Sequence, residues 1–193
     1  MKKQRTFTVK FKRRRKGITN YKKRLKILLV DKPRLVIRKS LNNINAQIVE
    51  YTPKGDRVVV AAHSSELKKY GWDVTTGNVP SAYLTGVLLG QKAKKKGVKE
   101  AVLDLGLSVP TKGGRLYAAL RGFVDTGINV PHSKEILPSD DRIKGMHVVN
   151  YSNLLKADKA RYEKQFSAHI KKGGDPAKLA DYFDNTKKKL SEA

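Results

Sequence analysis

The chain has 193 residues, 39% of them hydrophobic, no cysteine, and 42 lysines and arginines against 17 acids, for a net charge of +25. That length supports one sizeable core with appendages, and the lack of cysteine removes disulfides, thiolate metal sites and cysteine nucleophiles and points to a reducing, cytoplasmic setting. No stretch approaches the run of about 20 apolar residues that spans a bilayer, and no hydrophobic signal core follows the basic start, so neither membrane nor export is expected.

The chain opens on a basic arm. Residues 1–40 hold 17 basic residues and one acid, residues 41–150 hold 15 and 10, and residues 151–193 hold 10 and six. Thirteen of the cations precede Asp31, the first acid. The densest run, Lys12-Arg13-Arg14-Arg15-Lys16, leads into Gly17 and Thr19-Asn20-Tyr21, so cations, a flexible point, small hydrogen-bonding side chains and a ring fall together. A polyanion with exposed bases needs that combination, and such an imbalance is self-repelling until a polyanion neutralises it. A solvated tail that aids solubility would not need the interleaved Phe7, Phe11 and Tyr21.

Asn20 is placed to cap a short helix running to about Val30, with Leu25, Leu28 and Leu29 as its apolar face, and Lys32-Pro33 ends it. Leu35 to Arg38, Ile44 to Tyr51 and Arg57 to Ala62 read as three strands of an antiparallel meander, the last two joined by the turn Pro53-Lys54-Gly55-Asp56. Asn78 to Lys96 forms the clearest helix, with Pro80 in its first turn, Gly97 past its end, and Tyr83, Leu84, Val87, Leu88 and Ala93 apolar. The run Ala101 to Leu105 is short and apolar enough for a buried strand at the sheet centre. A second helix runs from Leu116 to about Thr126, with Leu116, Ala119, Leu120 and Phe123 on one face, and stops at Gly127. Residues 129–146 read as loop, Tyr151 to Lys172 as helix, and Asp175-Pro176 as the start of a final helix after Gly173-Gly174. The fold class expected is α/β, a mixed sheet flanked by helices. It divides into a basic arm with a short helix (1–31), an α/β domain (32–150) and a helical extension (151–193) that packs on the main domain or on a neighbour.

Catalytic chemistry finds little support. His63, His132, His147 and His169 lack metal-ligand spacing, and Ser64 and Ser65 lack the context of a nucleophile. Glu50, Asp104, Asp125 and Asp140-Asp141 could in principle gather a Mg²⁺ for phosphodiester hydrolysis, but each also reads as strand-end, helix-end or turn chemistry. Thr111-Lys112-Gly113-Gly114-Arg115 resembles a phosphate cradle at a helix start, where free N–H groups meet Lys112 and Arg115. Thr76-Gly77-Asn78 is similar, and both starts read equally as a phosphate contact or as ordinary capping. Neither is a Walker motif. No metal, cofactor, catalytic residue or small-molecule substrate is expected, and a general DNA binder is supported by charge alone.

In this order and at this length, the segments resemble one family, the large-subunit ribosomal protein L-eighteen family that binds 5S rRNA, in its long archaeal and eukaryotic form. The residues that carry the resemblance are Arg13 to Gly17 with Thr19-Asn20-Tyr21, Lys32-Pro33-Arg34-Leu35-Val36, Ala46-Gln47, Gly71-Trp72, Thr76-Gly77-Asn78 before Ala82 to Gly86, Leu103 to Leu107, Thr111 to Arg115, and Pro131-His132-Ser133. The resemblance implies a three-layer, ribonuclease-H-like domain without nuclease activity. It also implies 5S rRNA, 23S rRNA and neighbouring ribosomal proteins of the central protuberance as partners, in the cytoplasmic large subunit. Carried over by position, Arg13, Arg14, Arg15, Lys16, Thr19, Asn20, Tyr21 and Arg24 would be the principal 5S contacts, with Lys12 and Lys23 beside them and Arg34, Arg38, Lys39 and Ser40 continuing the surface. Lys112 and Arg115 add the helix-start candidate. Relatives often carry asparagine followed by histidine or basic residues where this chain reads Leu41 to Asn45, which weakens the carry-over at Asn43 and Asn45. The extension after Tyr151 is absent from short bacterial relatives, which points away from a bacterial source.

Overall fold

A computed structural model describes residues 8–170 and 173–192. Expectations for Phe7 and for a helix reaching Lys172 lie outside them. The arm contains a single helical turn, α1 (Lys12–Arg15), and a short helix, α2 (Tyr21–Leu28), whose N-cap Asn20 accepts a hydrogen bond from the Lys23 amide as expected. Of the expected apolar face of α2 only Leu28 is half-buried. Leu25 and Leu29 are 62% and 76% exposed, because Arg24 and Ile27 turn toward the sheet instead.

Strands β1 (Arg34–Lys39), β2 (Ile44–Thr52) and β3 (Gly55–His63) form the antiparallel meander read from alternation, and β4 (Val102–Asp104) pairs parallel with β1. The order β3-β2-β1-β4 puts β1 and β2 inside and β4 at an edge. The expectation of β4 as a buried strand at the sheet centre therefore fails: as an edge strand it leaves Val102 and Leu103 half-buried, and its buried residue is Asp104. β1 is bonded on both sides, and beyond β4 there is only an isolated parallel bridge from Glu100 to Asn129. A register shift at Ile48/Val49 inserts Val59 between the β2-paired Val58 and Val60 and increases the local twist.

One face of the sheet carries Leu35, Ile37, Ala46, Ile48, Val60 and Ala62, buried beneath α3 (Val79–Lys95) and α4 (Arg115–Asp125). Asn78 and Gly114 are their N-caps, and the apolar positions predicted for both helices are buried. The two helices cross at backbone distance. A Cβ on Gly86 would stand 2.0 Å from the Ala119 carbonyl oxygen, and one on Gly122 would stand 2.1 Å from that of Tyr83. Each glycine is thus the space into which the other helix's backbone fits.

The stretch 129–146 is not all loop. It holds a 3-10 turn (Lys134–Ile136) and α5 (Asp140–Lys144), in which Asp140 and Asp141 occupy the first turn and Gly145, at φ +82°, closes the end. Acids at a helix start complement its dipole, so the pair read as turn chemistry is helix-starting chemistry. α6 (Met146–Leu155) begins five residues before the predicted Tyr151. The helix then breaks because Asp158 accepts a hydrogen bond from the Arg161 amide and starts α7 (Lys159–Ile170) afresh. Asp175 caps the last turn-and-helix as expected, its carboxylate accepting from the Ala177 amide ahead of α8 (Leu179–Glu192). α8 lies on α3, placing Leu179, Phe183 and Leu190 in the main core with Phe183 5.6 Å from the Tyr83 ring.

Gly86→Ala, which forces a methyl group into the Ala119 carbonyl, is expected to lower stability by about 1–3 kcal/mol, seen in thermal unfolding as a melting temperature roughly 3–10 °C lower. An unchanged midpoint would mean that the helices can separate without cost.

Candidate nucleic-acid interface

Alternation along β1 leaves Arg34, Val36 and Arg38 on the face opposite Leu35 and Ile37, and β2 and β3 add Gln47, Val49 and Val58 beside them. Among the described residues, α2, the chain before it and the Leu103–Pro110 segment border this second face. Between sheet, arm and the Leu103–Pro110 segment lies a cavity of about 820 Å³.

Ion pairs hold the arm over this cavity. Arg34 is 3% exposed, with one guanidinium nitrogen 2.8 Å from Asp56 Oδ2 and another 3.1 Å from Asp104 Oδ2. Arg24 of α2 reaches the second Asp56 oxygen at 2.8 Å. Burial by itself would raise the Asp56 carboxyl, but hydrogen bonds from Arg24 and Arg34 outweigh it and hold the group below its ordinary value of 3.8. The hydrogen bond to Asp56 in turn raises the Arg24 guanidinium. Arg38 donates to the Ile37 and Asp104 carbonyls at 2.9 and 2.6 Å and lies 3.2 Å from Asp104 Oδ1, which fixes its plane. Gly106, at φ +60°, makes room for it, since a Cβ there would stand 2.9 Å from the guanidinium carbon.

Of the residues expected to meet RNA, Lys12, Arg13, Arg14, Arg15, Lys16 and Lys23 are exposed on the arm. Arg13 donates to the Thr19 hydroxyl at 2.9 Å, closing the bend at Gly17, and the Phe11 and Tyr21 rings pack 5.3 Å apart. Phe11 is still 72% exposed, so the pair offers a ring surface beside the cations. Arg34 is placed differently from the expectation of a surface contact: it is interior, with its charge spent on two carboxylates. Arg24 and Arg38 are also engaged, but partly open.

A second group gathers at the far end of β1. Lys39 is exposed, and the Ser40 hydroxyl bonds Asn43 across a tight turn. The Arg115 guanidinium donates to the carbonyls of Gly77 (2.7 Å), Ser40 and Leu41 (both 3.3 Å). It stitches the starts of α3 and α4 to the β1–β2 turn. The Thr76-Gly77-Asn78 start is already filled from within: Thr76 bonds Asn42 and Asn43, and Asn78 caps α3. Lys112 is exposed, 3.9 Å from Glu135.

The carboxylates considered for a metal do not converge. Asp104 is held by Arg34 and Arg38, Asp125 accepts from the Tyr83 hydroxyl at 2.8 Å, and Asp140 pairs with Arg121. Among the described residues no three His, Asp or Glu side chains are grouped to hold a metal ion, and no helix is long and apolar enough to cross a membrane. The four histidines remain scattered. His63 caps the 3-10 segment Ser64–Tyr70, His132 meets the Val130 carbonyl, His169 lies near Thr75, and burial followed by the Arg142 charge lowers the His147 imidazole.

Sequence reasoning missed Asp56 as the anchor of the arm and Asp104 as the carboxylate that holds Arg34 and Arg38. The available signal was the alternation Arg34-Leu35-Val36-Ile37-Arg38, which sets two arginines on the face opposite the core but does not tell solvent from carboxylates across from them. Because Asp56 titrates low in the folded protein, its contribution is present above pH about 4 and is lost as pH falls through its folded value. Asp56→Ala should therefore cut amide-exchange protection of Arg24 to Leu28 about tenfold at neutral pH, a larger loss than in β1, where Arg34 keeps Asp104. Wild-type α2 should lose protection the same way only in acid. Equal protection in the variant would show that the pair does not dock the arm.

Residues 5–101 and 92–133 match the family model described as "Ribosomal large subunit proteins 60S L5, and 50S L18". The two segments overlap and together run from residue 5 to residue 133, or 129 of 193 residues, taking in the arm, the whole sheet, α3 and α4. The chain belongs to this family of structural proteins of the large ribosomal subunit.

Proposed function

We propose that this protein binds 5S rRNA and helps anchor it to 23S rRNA in the central protuberance of the cytoplasmic large subunit. One observation carries the reading: a run of exposed cations, Lys12 to Lys16 with Lys23, on an arm that has no acid before Asp31 and is docked on a domain of this family. The reading assigns a division of labour. The arm of residues 1–31 neutralises phosphates, the α/β domain of residues 32–150 fixes where the arm leaves the sheet, and the extension of residues 151–193, packed through α8 on the main core, turns its exposed side to neighbouring proteins. Lys39, Ser40, Lys112 and Arg115 extend the phosphate surface, with Arg115 acting mainly by holding the turn that presents Lys39. Affinity is then largely electrostatic, while sequence and shape are read by rings and by the folded part. No turnover is required, and three of the carboxylates considered for hydrolysis, Asp104, Asp125 and Asp140, already face arginines or a tyrosine.

Titration of 5S rRNA against the intact chain and a chain beginning at Lys32 tests this. If about eight arm cations meet phosphates, log K for the intact chain falls with log salt at a slope of roughly −6 to −7, and the shortened chain shows a far shallower slope and weaker binding. Equal affinities would remove the arm from the mechanism, and displacement of 5S rRNA by an equal mass of duplex DNA would favour a general DNA binder.

A further inference from the structure

We propose that the cavity between the arm and the second face of the sheet receives one unpaired RNA base, stacked on the guanidinium of Arg38. The inference deepens the RNA-binding reading above and rests on it. Three observations carry it. First, the space is of the right kind: about 820 Å³, with apolar side chains from Val36, Val49, Val58 and Ile27 on facing walls and the Gln47 amide among them. A phosphate would be desolvated there, whereas a base loses little and gains apolar contact.

Second, the charge around it suits a polyanion. Five cations and two carboxylates border the cavity, and both carboxylates already face arginines, leaving an excess of three positive charges. Arg13 and Lys23 lie on the arm side, where the phosphates flanking an inserted base would remain in solvent. Third, Arg38 is 44% exposed yet fixed in plane by the Ile37 and Asp104 carbonyls, the Asp104 carboxylate and the close backing of Gly106. Immobilised guanidinium planes and aromatic rings are the surfaces on which proteins stack splayed RNA bases, because the ordering cost has been met before the base arrives. Gln47 supplies a donor and an acceptor for the base edge.

The test uses the full chain and two RNA hairpins with the same stem, one fully paired and one carrying unpaired adenines, with 2-aminopurine at an unpaired position. Wild type is expected to prefer the unpaired hairpin and to quench the 2-aminopurine by stacking. Arg38→Lys keeps the charge but removes the plane, and Gln47→Trp fills the cavity from the sheet. Each should lower the preference about tenfold and restore the fluorescence, and Gln47→Trp should leave affinity for the paired hairpin and the salt slope unchanged. Preference retained in both variants, or equal binding of the two hairpins by wild type, would overturn the proposal while leaving the RNA-binding reading intact. Failure of wild type to bind 5S rRNA or either hairpin would overturn both.

Discussion

Arg34 is the charge around which the rest of this molecule is arranged. Buried on β1, it meets Asp104 of β4 and Asp56 at the start of β3, and Asp56 passes the connection on to Arg24 of α2. A buried guanidinium is costly to desolvate, and its pairing with carboxylates seldom adds net stability over apolar packing. What it adds here is placement. Three strands and the arm share one electrostatic centre, and the positions of Arg24 and Arg38 follow from it.

The two faces of the sheet obey different physics. Beneath α3 and α4 the sheet is dry, closed by aliphatic side chains and by helices whose backbones meet at Gly86 and Gly122. Over the other face, α2 is held at a distance by ion pairs, which leaves a charged and partly apolar space. Rigidity on the first side lets the second be open: strands that were free to shift could not keep Arg38 flat or Asp56 under Arg24.

Much of the fold was legible because it follows from local patterns. The β1–β3 meander comes from alternation, and α3 and α4 from apolar spacing with Asn78, Pro80 and the closing glycines. The charged arm is plain in composition alone. Non-local facts were not legible. Whether Ala101 to Leu105 lies at the centre or edge depends on partners elsewhere in the chain, and α5 was hidden because Ser-Asp-Asp serves turns and helix starts alike. Leu25 and Leu29 follow a helical period but stay exposed, since the sheet beneath α2 offers charges and the helix answers with Arg24. At the candidate site, the exposed cations of the arm were readable, while the burial of Arg34 was not. A basic residue in a strand looks the same in sequence whether it faces solvent or a pair of carboxylates.

The position of Leu190 has a consequence for how the chain is made. It is fully buried with Leu179 and Phe183 against α3, so the core lacks a wall until residue 190 has been synthesised. Synthesis proceeds from the other end, and the first 40 residues, at 17 basic residues to one acid, emerge long before that wall exists. Throughout that interval the cell holds a bare polycation with an unfinished domain behind it. The order in which the residues appear therefore puts the charge of the arm ahead of the closure of the core.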